Sequence, residues 1–315
     1  MEYNLAICDM QNGDEVEGFY VLSRGEVKRS SNGKPYLNAV LSDCTGSMPA
    51  KMWDFNMALE SGDVGSVVKV RGSVGEYNGA LQFTIRLFRT ANEQDRYDLA
   101  DLVPTAPIDV EERLAEVRGL VASIEDGDYR AVCERMLDAH IGAFSTIPAA
   151  KSIHHSFRSG LLMHTSNMLR IADFLSGEYA DFVDRSLLLA GTLLHDIAKE
   201  KEFLLSNLGL VTEYSVRGDL LGHLVMGAQE AAKAAEELGI PEEKSVLLQH
   251  MILSHHGTPE LGAAVVPCCA ESELLSMIDR MDAHMQVYRE TLRTLPAGTF
   301  SDRIFALEKR IYNHG

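Results

Sequence analysis

The chain has 315 residues, more than one hydrophobic core ordinarily serves and enough for two domains. Its 46% hydrophobic and 24% charged content is that of a folded globular protein and excludes a disordered chain. A formal charge of −17 excludes a basic coat for nucleic acid over the whole surface, and no apolar run reaches the roughly 18 residues of a membrane span.

The start, Met1-Glu2-Tyr3-Asn4, lacks the basic stretch and apolar core of a signal peptide. Cys8, Cys44, Cys133, Cys268 and Cys269 are odd in number, scattered and without a C-x-x-C pair. A reducing cytoplasm is therefore the expected location, with neither a disulfide framework nor a thiolate zinc site.

Residues 13–90 read as short strands. Val16–Lys28 alternates apolar and polar residues; Tyr36–Ser42 and Met48–Trp53 follow; Val67–Val74 and Ala80–Phe88 flank Glu76-Tyr77-Asn78-Gly79, whose Asn-Gly is a hairpin signal. Asp54–Glu60 is expected to form one or two helical turns. Three strands, a short helix and two strands fit a five-stranded OB barrel, with another small β-barrel as the alternative. Residues 13–91 carry nine Lys/Arg and nine Asp/Glu, so the negative charge lies elsewhere. Arg24, Lys28, Arg29 and Lys34 cluster on the first strand and its turn. Tyr36, the only tryptophan Trp53, Tyr77 and Phe83 are spaced so that some face outward. Basic residues among stacking rings are how an OB face holds single strands, so Arg24, Lys28, Arg29, Tyr36, Trp53 and Tyr77 are the candidate nucleic-acid contacts.

Polar residues and Pro104 and Pro107 make 92–109 a linker between an OB domain over 1–91 and a helical domain over 110–315. Period-3.6 patterning predicts helices at 109–125, 128–144, 161–176, 182–198, 219–238, 242–256, 270–293 and 301–312, an all-α domain. The Met- and Leu-rich stretch 270–312 is expected either to complete the bundle or to form a homo-oligomer interface.

His164, the pair His195-Asp196, His223, His255 and Asp279 each lie in or at the end of an apolar helix, roughly 25–30 residues apart. Each helix can thus bring one or two ligands to a common point inside a bundle. A buried imidazole or carboxylate is costly unless paired or bound to metal, and six such positions make a merely structural role a poor account. Imidazole and carboxylate without thiolate suit Mn, Fe, Co, Zn or Mg. An aspartate bridging two ions would serve a phosphoryl displacement. Lys199, one helical turn beyond Asp196, would meet a phosphate or hold a carboxylate. Asp282 and His256 stand as alternates to Asp279 and His255, and His154 and His155 as candidates to meet a scissile phosphate.

His164, His195-Asp196 and Asp279 resemble the H…HD…D signature of the HD-domain metal-dependent phosphohydrolases. The resemblance implies that His164, His195, Asp196 and Asp279 bind a first ion, that Asp196 bridges, and that His223 and His255 bind a second. The strings His154-His155-x-x-x-x-Gly160-Leu161-Leu162-x-His164-Thr165, His195-Asp196-Ile197-Ala198-Lys199, Gly218-x-x-Leu221-Gly222-His223 and Ile252-Leu253-Ser254-His255-His256-Gly257, behind an OB barrel, are similar to those of the YhaM-type 3′–5′ exoribonucleases, the family of the CMP-binding factor.

That resemblance covers nearly the whole chain. It implies a metal-dependent nuclease that shortens single-stranded RNA from its 3′ end, with single-stranded DNA a second candidate substrate. Two Mn²⁺ ions are favoured, with Fe²⁺, Co²⁺ and Mg²⁺ open, and Asp196, Lys199 and His155 are the expected catalytic residues. A phosphohydrolase of small nucleotides and a non-catalytic single-strand-binding protein of replication are the competing expectations.

Overall fold

The computed structural model of the protein describes residues 2–57, 59, 63–151 and 155–315. It divides into two compact units, residues 1–105 with 206–209, and residues 106–205 with 210–315.

The first unit is a closed OB-type barrel. Its strands are β1 (Glu2–Tyr3), β2 (Glu15–Arg29), β3 (Pro35–Asp43), β4 (Gly46–Trp53), β5 (Val67–Tyr77) and β6 (Ala80–Thr90), in the order β1-β2-β3-β4-β6-β5. Closure depends on the length of β2. Its first half pairs antiparallel with β5 up to Val21↔Val67, and its second half pairs with β3 from Val21↔Ser42 onward. The parallel pairs Ala50↔Phe83 and Lys51↔Thr84 join β4 to β6. Gly72 permits the bend in β5, because a Cβ there would lie 2.1 Å from the Thr84 carbonyl oxygen, and the register shifts at this residue. Alternation turns Leu37, Ala39, Leu41, Val68, Val70, Val74, Phe83 and Ile85 inward. Phe83 is therefore core and not an outward ring. The β5–β6 turn is Asn78-Gly79, both with positive φ, as the sequence predicts. The helical turns expected over 54–60 fall partly outside the described residues; the described Asp54–Met57 forms a turn and bend instead.

Residues 92–109, read as a linker, contain the short helix α1 (Leu99–Leu102), whose Leu102 is buried.

The second unit is helical: α2 (Val110–Ala122), α3 (Gly127–Phe144), α4 (Gly160–Glu178), α5 (Arg185–Leu194), α6 (Lys199–Glu202), α7 (Val216–Leu238), α8 (Glu242–Ser254) and α9 (Ala270–Thr294). Asp109, Asp126, Asp184 and Ser215 start α2, α3, α5 and α7, each side chain accepting from backbone N–H groups of the first turn. Helix α5 is buried from Ser186 to Leu194 and packs against α3, α4, α8 and α9. A helix apolar on every side sits at the centre of a bundle, and its C-terminal end delivers His195-Asp196 to the interior.

Two departures from the predicted helical domain occur. An antiparallel hairpin, β7 (Phe203–Leu205) and β8 (Val211–Tyr214), lies between α6 and α7. Residues 301–312 are not an α-helix. They fold back on themselves through the bridges Phe300↔Tyr312 and Ile304↔Lys309, with a single 3-10 turn at Phe305–Leu307. Leu307 and Ile311 pack on Val287 of α9. Among the described residues no helix is long and apolar enough to cross a membrane.

Candidate metal centre

Four histidines meet around Asp196, and each has its Nδ1 engaged on the side away from that carboxylate. His195 and His255 share one device. Each caps the C-terminus of an apolar helix, α5 or α8, and donates from Nδ1 to the carbonyl three residues back, Thr192 or Ile252, at 2.7 Å. A last-turn carbonyl has no partner within its own helix, so the ring satisfies it and is oriented in return. His164, one turn into α4, donates from Nδ1 to Asp282 Oδ2 at 2.7 Å. His223 sits beside Glu202 Oε1, 2.9 Å from its Nδ1 and 3.1 Å from its backbone N, which donates to it. That approach depends on Gly222, which breaks α7 with φ 70°, a conformation L side chains rarely adopt.

An imidazole that donates from Nδ1 presents a lone pair at Nε2. The Nε2 atoms fall into two sets. Around Asp196 Oδ2 lie His195 at 3.3 Å and His164 at 4.0 Å, with Asp279 Oδ1 3.2 Å from the His164 Nε2. Around Asp196 Oδ1 lie His223 at 3.2 Å and His255 at 3.7 Å. His256 adjoins this second set, its ring centroid 4.3 Å from that of His255 and 5.4 Å from that of His223.

These atoms test whether the residues fit a metal. His195 Nε2, Asp196 Oδ1 and His223 Nε2 are buried and have no hydrogen-bond partner among the described residues. Acceptor facing acceptor at such distances is costly unless a cation lies between them. The donors, imidazole nitrogen and carboxylate oxygen, suit borderline or hard divalent ions. The residues fit, and His164, His195 and Asp196, and separately His223, His255 and His256, are close enough to hold an ion.

The electrostatics agree. Burial works to raise the Asp196 carboxyl but is outweighed by Lys199, His195 and His223, which hold it well below the usual carboxylate range. Burial pushes the His255 imidazole well below its ordinary value, helped by His256 and His195, so it is neutral and free to ligate. His164 goes the other way. Burial lowers it, but Asp279 and Asp282 on its two sides push it up to about 10, an attraction for positive charge that a cation at Nε2 would satisfy in place of a proton.

Asp279 faces the His164 Nε2, whereas Asp282 lies behind His164 on its Nδ1 side. His155 is also behind His164. It is fully buried, its Nε2 lies 2.8 Å from Asp282 Oδ2, and it does not line the cavity, so the expectation that it meets a phosphate is corrected. His154 lies outside the described residues. Lys199 is buried, with Nζ 2.6 Å from Asp196 Oδ2 and 2.6 Å from the Ala149 carbonyl oxygen. A cavity of about 540 Å³ opens on the centre and is lined by Asp196, Lys199, His223, His255, His256 and Asp279, and further out by Lys151, Tyr214 and Arg280. Glu202 was not among the sequence-derived candidates. Its only signal is its place six residues after Asp196, in a Lys-Glu-Lys-Glu run that reads as a solvated charged segment.

The barrel has its own candidate surface. Tyr36 and Trp53 are cross-strand partners with ring centroids 5.0 Å apart, and Trp53 and Tyr77 are more than half exposed. Lys51 Nζ lies 5.9, 5.5 and 5.0 Å from the Tyr36, Trp53 and Tyr77 ring centroids. Lys51 completes this cluster and was missed in the sequence, because membership depends on the β3–β4 register. Arg29 and Lys34 line a depression with Tyr36 and Trp53. Arg24 and Lys28 are exposed on β2, and Lys28 is paired with Glu26 at 3.0 Å.

Residues 161–284 match the HD domain family, and residues 21–89 match the OB-fold nucleic acid binding domain family. Among solved structures, the chain is similar to the second OB-fold domain of replication protein A from Methanococcus maripaludis (12% identity, covering 31% of this chain and all of that one, TM-score 0.24). It is also similar to a replication protein A heterotrimer bound to ssDNA (14% identity, 27% of this chain and 62% of that one, TM-score 0.21). The two family matches give an OB-fold domain followed by an HD domain, and they support a nucleic-acid-related hydrolase of the metal-dependent phosphohydrolase class. This order of domains fits a YhaM-like architecture.

Proposed function

We propose that the protein is a metal-dependent 3′–5′ exoribonuclease that releases nucleoside 5′-monophosphates from single-stranded RNA. The observation that carries this reading is Asp196, whose two oxygens face two separate imidazole sets at the floor of a cavity, in a chain that also holds an OB-fold barrel. The polarity and the preference for RNA follow from the resemblance to the YhaM-type enzymes.

In this reading His164, His195, Asp196 and Asp279 would hold one divalent ion, and Asp196, His223 and His255 would hold a second, with Mn²⁺ favoured. Bound ions of this kind lower the pKa of a water and neutralise the oxygens of a phosphoryl displacement. The chain's own residues do the rest. Asp282, Glu202 and the Thr192 and Ile252 carbonyls keep the rings aimed. Lys199 holds Asp196 and presents its ammonium to the cavity, where it neutralises a phosphate oxygen. His155 braces Asp282 and is a positioning residue. The barrel retains the strand through Lys51, Tyr36, Trp53 and Tyr77.

A time course on a 5′-labelled, unstructured RNA tests the reading. A ladder that shortens from the 3′ end with Mn²⁺ and is abolished by EDTA is expected. Intact RNA under both conditions contradicts it and turns attention to small nucleotides.

A further inference from the structure

The β7–β8 hairpin is the one sheet of the helical domain among the described residues, and its position has a consequence for the cavity. Its exit is tied to α6: the Ser215 backbone N–H donates to the Glu202 carbonyl at 2.8 Å, and Ser215 Oγ donates to the Lys201 carbonyl at 2.6 Å. Ser215 Oγ also accepts from the Gly218 N–H and so starts α7. Glu202 is the residue whose carboxylate orients His223. Tyr214, immediately before Ser215, is therefore held in a fixed relation to the metal-facing imidazoles. Its ring packs on Phe203, centroids 5.6 Å apart, yet the residue is 41% exposed and lines the cavity.

The rest of the cavity wall supplies carboxylates nearest the metal centre, and cations and apolar side chains besides. Lys151 Nζ is 5.5 Å from the Tyr214 ring centroid, and Arg280 lines the same cavity; neither makes an ion pair among the described residues. Leu261 and Met277, 60% and 47% exposed, supply apolar wall. A packed core does not need a half-exposed ring, exposed apolar side chains and cations without an ion-pair partner among the described residues together. A nucleotide needs all three: a flat base to stack, an apolar surface beside it and cations for its phosphate.

We propose that Tyr214 and Lys151, with Arg280, form a subsite for the terminal nucleotide, in which the Tyr214 ring stacks the base and the cations take the phosphate. The proposal rests on the reading of the cavity as a nucleic-acid hydrolase and names its ligand class, a nucleoside 5′-phosphate. The hairpin then serves to place a stacking ring at a set position beside the metal centre.

Calorimetric titration of the full chain in Mn²⁺, with AMP and with ribose 5-phosphate, isolates the base. Stacking on one aromatic ring predicts that AMP binds about 5- to 150-fold more tightly. Tyr214→Phe retains that ratio, and Tyr214→Ala brings it to about one. Equal affinities in the native chain overturn the proposal without any variant, as does a ratio unchanged in Tyr214→Ala. The two readings fail separately. RNA left intact with the AMP preference present removes the exonuclease and keeps the subsite, whereas RNA shortened with no preference for AMP removes the subsite alone.

Discussion

The histidines of the candidate metal centre are set by what holds their far sides. Four Nδ1 atoms are engaged by two carbonyls and two carboxylates, and this leaves four Nε2 atoms turned toward Asp196 and Asp279. The ligand candidates were legible because metal chemistry restricts residue type, and because each sits at an apolar helix where an unpaired polar group would be costly. Their supports were not. Two of the four are backbone carbonyls, which have no sequence signature; Asp282 stood only as an alternate ligand, and Glu202 looked like solvated charge. Replacement of a group that orients a metal ligand typically costs 10- to 100-fold in metal affinity. Asp282→Asn and Glu202→Gln are therefore each expected to weaken Mn²⁺ binding by about that factor, measured by calorimetry, with the fold intact by circular dichroism. Affinity unchanged in both would mean that the rings are oriented by packing alone.

At the scale of elements, a break in α7 and a clamp on α6 carry the argument. Gly222 lets α7 break so that His223 meets Glu202, and Gly222→Ala forces an L residue into φ 70°. A cost of about 1 kcal/mol or more in stability is expected, together with weakened Mn²⁺ binding, both readable from melts with and without the ion. Helix α6 is only four residues long, and a buried imidazole outside the cavity secures it. His140 on α3 is 2.7 Å from Glu200 through Nδ1 and 2.9 Å from Glu230 of α7 through Nε2, and Glu230 also pairs with Lys201. With a carboxylate at each nitrogen, both must donate, so the ring is an imidazolium, and Glu200 and Glu230 push it up to about 9. A pKa raised on folding gives stability that is whole below the unfolded value near 6.5 and is lost as pH climbs through 9. The contribution is up to about 3 kcal/mol. Melts from pH 6 to 10 should show this decline in the native chain, and His140→Leu should flatten it; parallel profiles would contradict the clamp. The C-terminal misreading belongs to this scale. Ile304, Leu307 and Ile311 are spaced as one helical face, but the same residues reach α9 from a folded-back segment in which Glu308 has positive φ. Periodicity cannot distinguish the two when tertiary contacts decide.

At the scale of the molecule, a net charge of −17 is reconciled with the proposed polyanionic substrate by locality. The cations that matter are Lys51 among three rings on the barrel, and Lys151, Lys199 and Arg280 in the cavity; charge elsewhere is screened beyond roughly 8–10 Å at physiological salt. Lys51→Ala and Trp53→Ala should both weaken single-stranded RNA binding, but only the lysine change should reduce the salt dependence, by about 0.7 in the logarithmic slope. Equal slopes in both variants would move the phosphate contacts away from the ring cluster. The barrel was legible from alternation and the Asn-Gly turn; its candidate ring cluster was legible only in part, because Lys51 joins it through strand register. Asp196 is proposed to join two half-sites, and a calorimetric titration of the full chain with Mn²⁺, beside Asp196→Asn, measures that directly. Two ions per native chain, with both sites weakened together in the variant, is the predicted result; two ions bound with native affinity by Asp196→Asn would contradict it.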